Sequence, residues 1–359
     1  MAQFPFLAIN IYDKDTGEQV EYCSSSVMVE CSGVQVGIIG AMGDCYSSIA
    51  ADKSEGVYFI TGQELTELVK AEAQLLRSQG ADFIIYTIHD GFEQSKSASV
   101  TPVSGSQLRY YYDTSLSNGY VDLVFEGHTH QRYLLQDEYD VYHLQNKGDN
   151  KGISQVAVKV NSVTGSHHVT TAKLLATGVY ANMEDDPIVQ ELLEKYNPVL
   201  APALEILGNN RTKRESWELQ QLVADLYYDL GQLAWGEEYD IVLGGGFISV
   251  RSPYTLAAGE VSYGMLQSIF PFDNRLALCA IEGKDLLNRF IHSDDNRYYI
   301  SYGEGSAPNN IDPDGMYYIV LDSYSYTYAP NNVTVVEDNT DGYYARDLLA
   351  DFARNGGFE

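Results

Sequence analysis

The chain has 359 residues, more than one typical domain of about 100–200, and 45% of them are hydrophobic, enough for a substantial core. A net charge of -28 disfavours nucleic acid and anionic lipid as partners, whereas a small anionic substrate is compatible where a few arginines focus positive potential. No apolar run reaches the roughly 18 residues of a membrane helix. The start, "MAQFPFLAINIYDKDTGE", lacks a basic and then apolar leader and reads as a strand already under way. The cysteines, Cys23, Cys31, Cys45 and Cys279, form no C-x-x-C pair, and Cys279 in "LALCAIEG" reads as an inert buried thiol. Acidity with 29 tyrosines suits a secreted or surface protein.

In chain order, "VQVGIIGAMG" is a short strand ending in glycines. "TGQELTELVKAEAQLLRSQG" predicts a helix, with Thr61 and Glu64 as a capping box and Gly80 as its stop. "ADFIIYTIHDG" is a continuous apolar strand of the kind buried on both faces, and "YVDLVFEGHTH" is the next. "ISQVAVKVNSVTGSHHVTTAKLL" alternates and turns at Thr164-Gly165, as a hairpin does. Residues 1–178 thus read as one α/β domain, and 179–207 as a helical connector. That connector starts at Asp185 and Asp186 before Pro187 and is bent by Pro198 and Pro202. A second domain spans 208–359. In it "ESWELQQLVADLYYDLGQLA" is an amphipathic helix, and "YDIVLGGG" a strand into a glycine turn. "RLALCAIEGKDLLNRFI" is strand–turn–helix, "MYYIVLDSYSYTY" a strand, and "GYYARDLLADFARNGG" a terminal helix.

Two constellations carry chemistry. His89 ends one apolar strand, and His128 and His130 follow another. In α/β sheets ligands gather at the carboxyl ends of strands, and imidazole is a common ligand for zinc-like ions. Gly127 permits the sharp turn that would aim both later histidines inward. Polar loop residues are the plainer alternative, and it is preferred for His143, His167, His168 and His292, whose contexts resemble solvated turns or hairpin edges. In the second domain "GGGFISVR" lets a backbone approach closely, and Arg251 can hold an oxyanion in bidentate fashion. Arg214, with Arg211 nearby, precedes a helix and can do the same. Phe272 in "FPFDN", which ends at Asn274, offers a stacking face. Tyr324, Tyr326 and Tyr328 alternate along the expected strand and would share one face. An aromatic from each segment would sandwich a base, though core packing at a strand edge explains them too.

The order His89, "GHTH", connector, "LQQLVAD", "GGGFISVR", "PFDN", "DSYSYTY" resembles the secreted 5'-nucleotidase family, which includes UDP-sugar hydrolases and 2',3'-cyclic-nucleotide phosphodiesterases. The resemblance covers essentially the whole chain. It implies an α/β fold in which a partial calcineurin-like metallophosphoesterase sandwich (αββα) is followed by the connector and an α+β 5'-nucleotidase C-terminal domain. It further implies that His89 and His128 bind one divalent ion, such as zinc or manganese, and His130 a second. Arg251 and Arg214 would hold phosphate oxygens, with Asn274 in the same substrate-binding segment as Phe272, and Phe272 and Tyr324 would stack on the base. The implied partner is a small nucleotide or nucleoside, and the implied location is extracellular, periplasmic or cell-surface.

Departures set further expectations. Leu243-Gly244 stands where the family has Asn-Gly, and "APNN" replaces its Gly-Gly-Asp-Gly. The D-x-H, G-D and G-N-H-[ED] motifs, which carry most metal ligands and the catalytic histidine, fall before the first residue in the family's order. "GDC" at 43–45 comes too late to replace them. The chain is therefore expected to correspond to an N-terminally truncated member, holding at most one ion, weakly, with no catalytic residue of its own. The activity implied is hydrolysis of nucleotides or related phosphoesters, and the alternative is a non-catalytic nucleotide-binding module.

Overall fold

The computed structural model describes residues 4–49, 53–96, 99–109, 111–148, 151–161, 163–251, 253–292, 298–328, 332–338 and 344–358. Contacts among them divide the chain into two compact units that meet in sequence at Glu184 and Asp185. None of the described helices is long and apolar enough to cross a membrane.

The first unit contains β1 (Ile11–Asp13), β2 (Ser26–Cys31), β3 (Val34–Met42), β4 (Val57–Phe59), α1 (Gly62–Ser78), β5 (Phe83–His89), β6 (Thr101–Pro102), α2 (Gly105–Leu108), β7 (Leu123–Glu126), β8 (Tyr133–Gln136), β9 (Tyr142–Gln145), β10 (Gly152–Val160) and β11 (His167–Ala176). Its main sheet has seven strands in the order β2-β3-β5-β7-β9-β8-β6. The neighbours β3, β5, β7 and β9 run parallel. The apolar run of β5 feeds both faces. Ile84, Tyr86 and Ile88 join the core that includes Leu65, Val69 and Leu76 of α1. Phe83 and Ile85 face the other way, against Leu174, Val156 and Val158 of the β10–β11 hairpin. That hairpin turns at Gly165, whose φ of +68° suits glycine. Gly80 ends α1 with φ +101°, but Thr61 makes no side-chain bond to the helix, so the expected capping box does not form.

The second unit contains α3 (Pro187–Tyr196), β12 (Ile206–Asn210), α4 (Ser216–Trp235), β13 (Ile241–Gly246), β14 (Gly259–Ser262), α5 (Tyr263–Ile269), β15 (Leu276–Glu282), α6 (Gly283–Leu286), β16 (Tyr299–Ser301), β17 (Met316–Asp322), α7 (Ser323–Tyr328), β18 (Val333–Asp338) and α8 (Ala345–Arg354). The Asp186 carboxylate accepts from the amides of Ile188 and Val189, so the connector helix starts where its acid-proline signal places it. A five-stranded sheet runs β16-β13-β17-β15-β18. Residues of α4, α5 and α8 pack with Leu276, Leu278 and Val320 on one face, and Leu286 and Phe290 pack with Cys279 and Leu321 on the other. Cys279 is fully buried, and burial pushes its thiol up to about 12, in keeping with an inert side chain.

One expected element is wrong. The strand over "MYYIVLDSYSYTY" stops at Asp322, and Ser323–Tyr328 is helical. Asp322 Oδ1 accepts from the Ser325 amide at 2.7 Å, the bond by which an acid starts a helix, and this overrides the β preference of the tyrosines. Tyr324 and Tyr326 therefore do not share one strand face. Tyr324 lies beside Phe247, with ring centroids 5.6 Å apart, while Tyr326 packs into the core around Cys279. The side chain of Tyr328 and residues 329–331 of "APNN" lie outside the described residues.

Candidate metal centre and nucleotide-binding surface

Three adjacent parallel strands of the first unit end together. Met42 of β3 pairs with His89 of β5, and Ile88 pairs with Glu126 of β7. Parallel strands lie about 4.8 Å apart, so residues just beyond these ends are held within reach of one another. His89 closes β5, His128 follows β7, and Cys45 sits in the short 3-10 turn after β3. The His89 and His128 rings have centroids 5.3 Å apart. One ligand atom each from Cys45, His89 and His128 lies within 4.8 Å of the others. His130 is outside that cluster; its ring packs against Gly148. The cluster fits one ion. Among the described residues no second group of three such donors accompanies it.

The turn that presents His128 is held from below. His128 and His130 have φ of +62° and +54°, a region that non-glycine residues enter at a cost and that clusters at functional sites. The Gly127 amide donates to Asp90 O at 3.0 Å, and Thr129 Oγ1 donates to Phe92 O at 3.0 Å. Gln145 of β9, 2% exposed, donates through Nε2 to Thr129 Oγ1 at 2.7 Å and to Gln131 O at 2.8 Å. Burial lowers the pKa of His89, and the neighbouring His128 lowers it further, so the neutral, ligating form is favoured. Burial, with Asp90 nearby, pushes the Cys45 thiol up to about 12, and its Sγ–H donates to His89 O at 2.6 Å.

His143 is not the solvated edge residue its context suggests. It is fully buried on β9, with Nδ1 2.8 Å from Glu126 and Nε2 3.2 Å from Asp137. Burial lowers its pKa, but the two carboxylates outweigh this and raise it to about 9. His167 is also engaged: it pairs with Asp122 at 3.0 Å, while Arg77 holds the other carboxylate oxygen at 2.5 Å. His168 and His292 are exposed.

In the second unit the Arg251 guanidinium stacks over the Phe272 ring, 4.8 Å from its centroid, and Arg251 Nη1 donates to Ser249 Oγ at 2.7 Å. Phe272 is 40% exposed. Arg346 fixes its loop, donating to Phe272 O at 3.3 Å and to Asp273 at 2.5 Å. Asn274 donates to the buried Asp322 at 3.4 Å, and burial raises the pKa of that acid. Neither Asp322 nor Arg346 stands out in the sequence, because both act on loops distant in the chain. Arg214 pairs in a backbone bridge with Leu256, and its guanidinium lies over Phe358, 5.6 Å from the centroid of that ring; Arg211 contributes its amide to Phe358 O.

No family model matches the chain. Over 288 residues it is 24% identical to endonuclease YhcR of Bacillus subtilis strain 168, covering 79% of this chain and 22% of that protein. Over 320 residues it is 23% identical to cell wall protein Lmo0130 of Listeria monocytogenes, covering 82% of this chain and 39% of that protein. The chain thus spans well under half the length of these curated relatives. A solved 5'-nucleotidase precursor from Thermus thermophilus superposes with a TM-score of 0.65 at 14% identity, covering 99% of this chain and 76% of the other. The fold is that of the 5'-nucleotidases and related calcineurin-like phosphoesterases.

Proposed function

We propose that this chain forms part of a metal-dependent phosphoester hydrolase acting on nucleotides or related small phosphoesters. The observation that supports it most is the convergence of His89 and His128 at the ends of neighbouring parallel strands in a 5'-nucleotidase fold. His89 and His128 would hold a divalent ion there, which would supply Lewis-acid chemistry at a phosphoryl group. The chain's own residues would position that ion: the Gln145 and Asp90 bonds fix the turn, and burial disfavours the protonated form of His89. The second unit would take the base between Phe272 and Tyr324, with Asn274 in the same segment as Phe272 and Arg251 or Arg214 at the phosphate. A net charge of -28 favours a small ligand over a nucleic acid polymer, and the likeness to a protein named for the cell wall supports a surface or extracellular location.

The test is release of phosphate from AMP and UDP-glucose by the purified chain with added zinc or manganese, alongside His128→Ala. Turnover that the substitution abolishes supports the reading; turnover that it leaves intact, or the absence of both turnover and metal binding, overturns it. A second reading is favoured by the solvent-facing Phe272 under Arg251: a module that captures nucleosides or nucleotides without turnover. Absent turnover with retained AMP binding would select it.

A further inference from the structure

We propose that the sheet edge of the first unit is a mononuclear thiolate–imidazole centre, in which Cys45 Sγ joins His89 and His128 on one zinc-class ion. This rests on the reading of that edge as a metal centre and changes its donor set and ion preference. The resemblance in sequence points to His89, His128 and His130 shared between two ions; the structure places Cys45, not His130, with the pair.

The geometry supports one ion. In a tetrahedral zinc site the bonds are about 2.0–2.1 Å to nitrogen and about 2.3 Å to sulfur, which puts donors roughly 3.5 Å apart. Separations within 4.8 Å close to that by side-chain rotation of about an ångström. The backbones that carry the donors are already tied together. The Gly43 amide donates to His89 O at 3.3 Å, and the Cys45 amide donates to Asp90 Oδ2 at 3.4 Å. Asp90 O in turn accepts from Gly127, one residue before His128. The buried Asp90 therefore links the supports of all three donors, as carboxylates beside metal ligands often do.

Chemistry sets the ion class. A thiolate with two imidazoles suits zinc, cobalt or cadmium, while magnesium, manganese and calcium prefer oxygen donors. As the metal–sulfur bond forms, Sγ gives its proton to solvent, which ends its bond to His89 O. Three protein donors leave a fourth position. Cys45 and His128 border a cavity of about 600 Å³, which Tyr111, Lys96 and Asp90 also line, so that position faces space large enough for a small ligand. Three protein donors plus water is the stoichiometry of catalytic zinc.

The experiment uses the full chain. Cobalt(II) titration is expected to give one ion per chain and a thiolate-to-cobalt charge-transfer band that is lost in Cys45→Ser and kept in His130→Ala. Zinc should displace cobalt, and magnesium should not. As a check that needs no variant, cadmium in place of cobalt should give a thiolate-to-metal absorption band in the ultraviolet on binding. A single bound ion without either charge-transfer band would overturn this inference while sparing the broader reading. Two ions per chain would overturn it in favour of a dinuclear centre. Failure to bind any ion would overturn both.

Discussion

The guanidinium carbon of Arg251 lies 4.8 Å from the centroid of the Phe272 ring, so the ring's exposed surface comes with a positive charge already stacked on it. On the proposed reading the free face of that ring would take a base and the arginine would hold its phosphate. Phe272→Ala is expected to weaken both adenosine and AMP by about 1–3 kcal/mol, the usual worth of one stacked base. Arg251→Ala should weaken AMP and leave adenosine nearly unchanged, since only AMP brings the anion. Calorimetry on the full chain separates these effects; unchanged affinities in Phe272→Ala would identify the ring as packing.

His143 between Glu126 and Asp137 makes stability depend on pH. Its folded pKa of about 9 exceeds the ordinary value of about 6.5, so the folded state binds the extra proton. The contribution, on the order of 3 kcal/mol, is fully present below about pH 6.5 and is lost as pH rises through about 9. Chemical denaturation at pH 6 to 10 should show this decline, and His143→Gln should flatten it. A profile that is equally steep in the variant would assign the slope elsewhere.

Gln145 carries the turn of His128 through two hydrogen bonds from a buried amide. Gln145→Leu removes them and strands the Gln131 carbonyl, with a loss of about 1–3 kcal/mol in stability. Metal affinity should fall with it while the number of ions bound stays the same. An unaltered affinity in a folded variant would show that the turn holds its shape without Gln145.

Gly246 has φ +143°, and a methyl group there would meet Ser325 Oγ at 2.2 Å. The same hydroxyl accepts from the Phe247 amide at 2.8 Å. Gly246→Ala should lower the melting temperature, at a cost of about 1–3 kcal/mol for the strained backbone alone, and should weaken AMP binding by moving Phe247 and its neighbour Tyr324. A variant as stable as the parent would show that the glycine run is not needed for close approach.

Local signals and long-range ones differ in how well they can be read. The apolar run Phe83–Ile88, the turn at Gly165 and the acid-proline start at Asp186 all act within a few residues, and all are legible in the sequence. His89 and His128 stand out because strand ends are marked by the glycines and polar residues that follow. Cys45 is not legible: it reaches His89 only because Met42 and His89 pair across two strands 47 residues apart in the chain. His143 misleads because its two acids are 17 and 6 residues away, each on a different element. At "LDSYSYTY" the tyrosines suggest a strand, and their β preference masks the aspartate that begins a helix.

The three donors are spaced by the hydrogen-bond ladder of β3, β5 and β7, not by the side chains packed around it. Such a frame treats the residue at each strand end as an exchangeable fitting. Exchanging Cys45 for histidine or aspartate would retune which ion is preferred without redrawing the sheet.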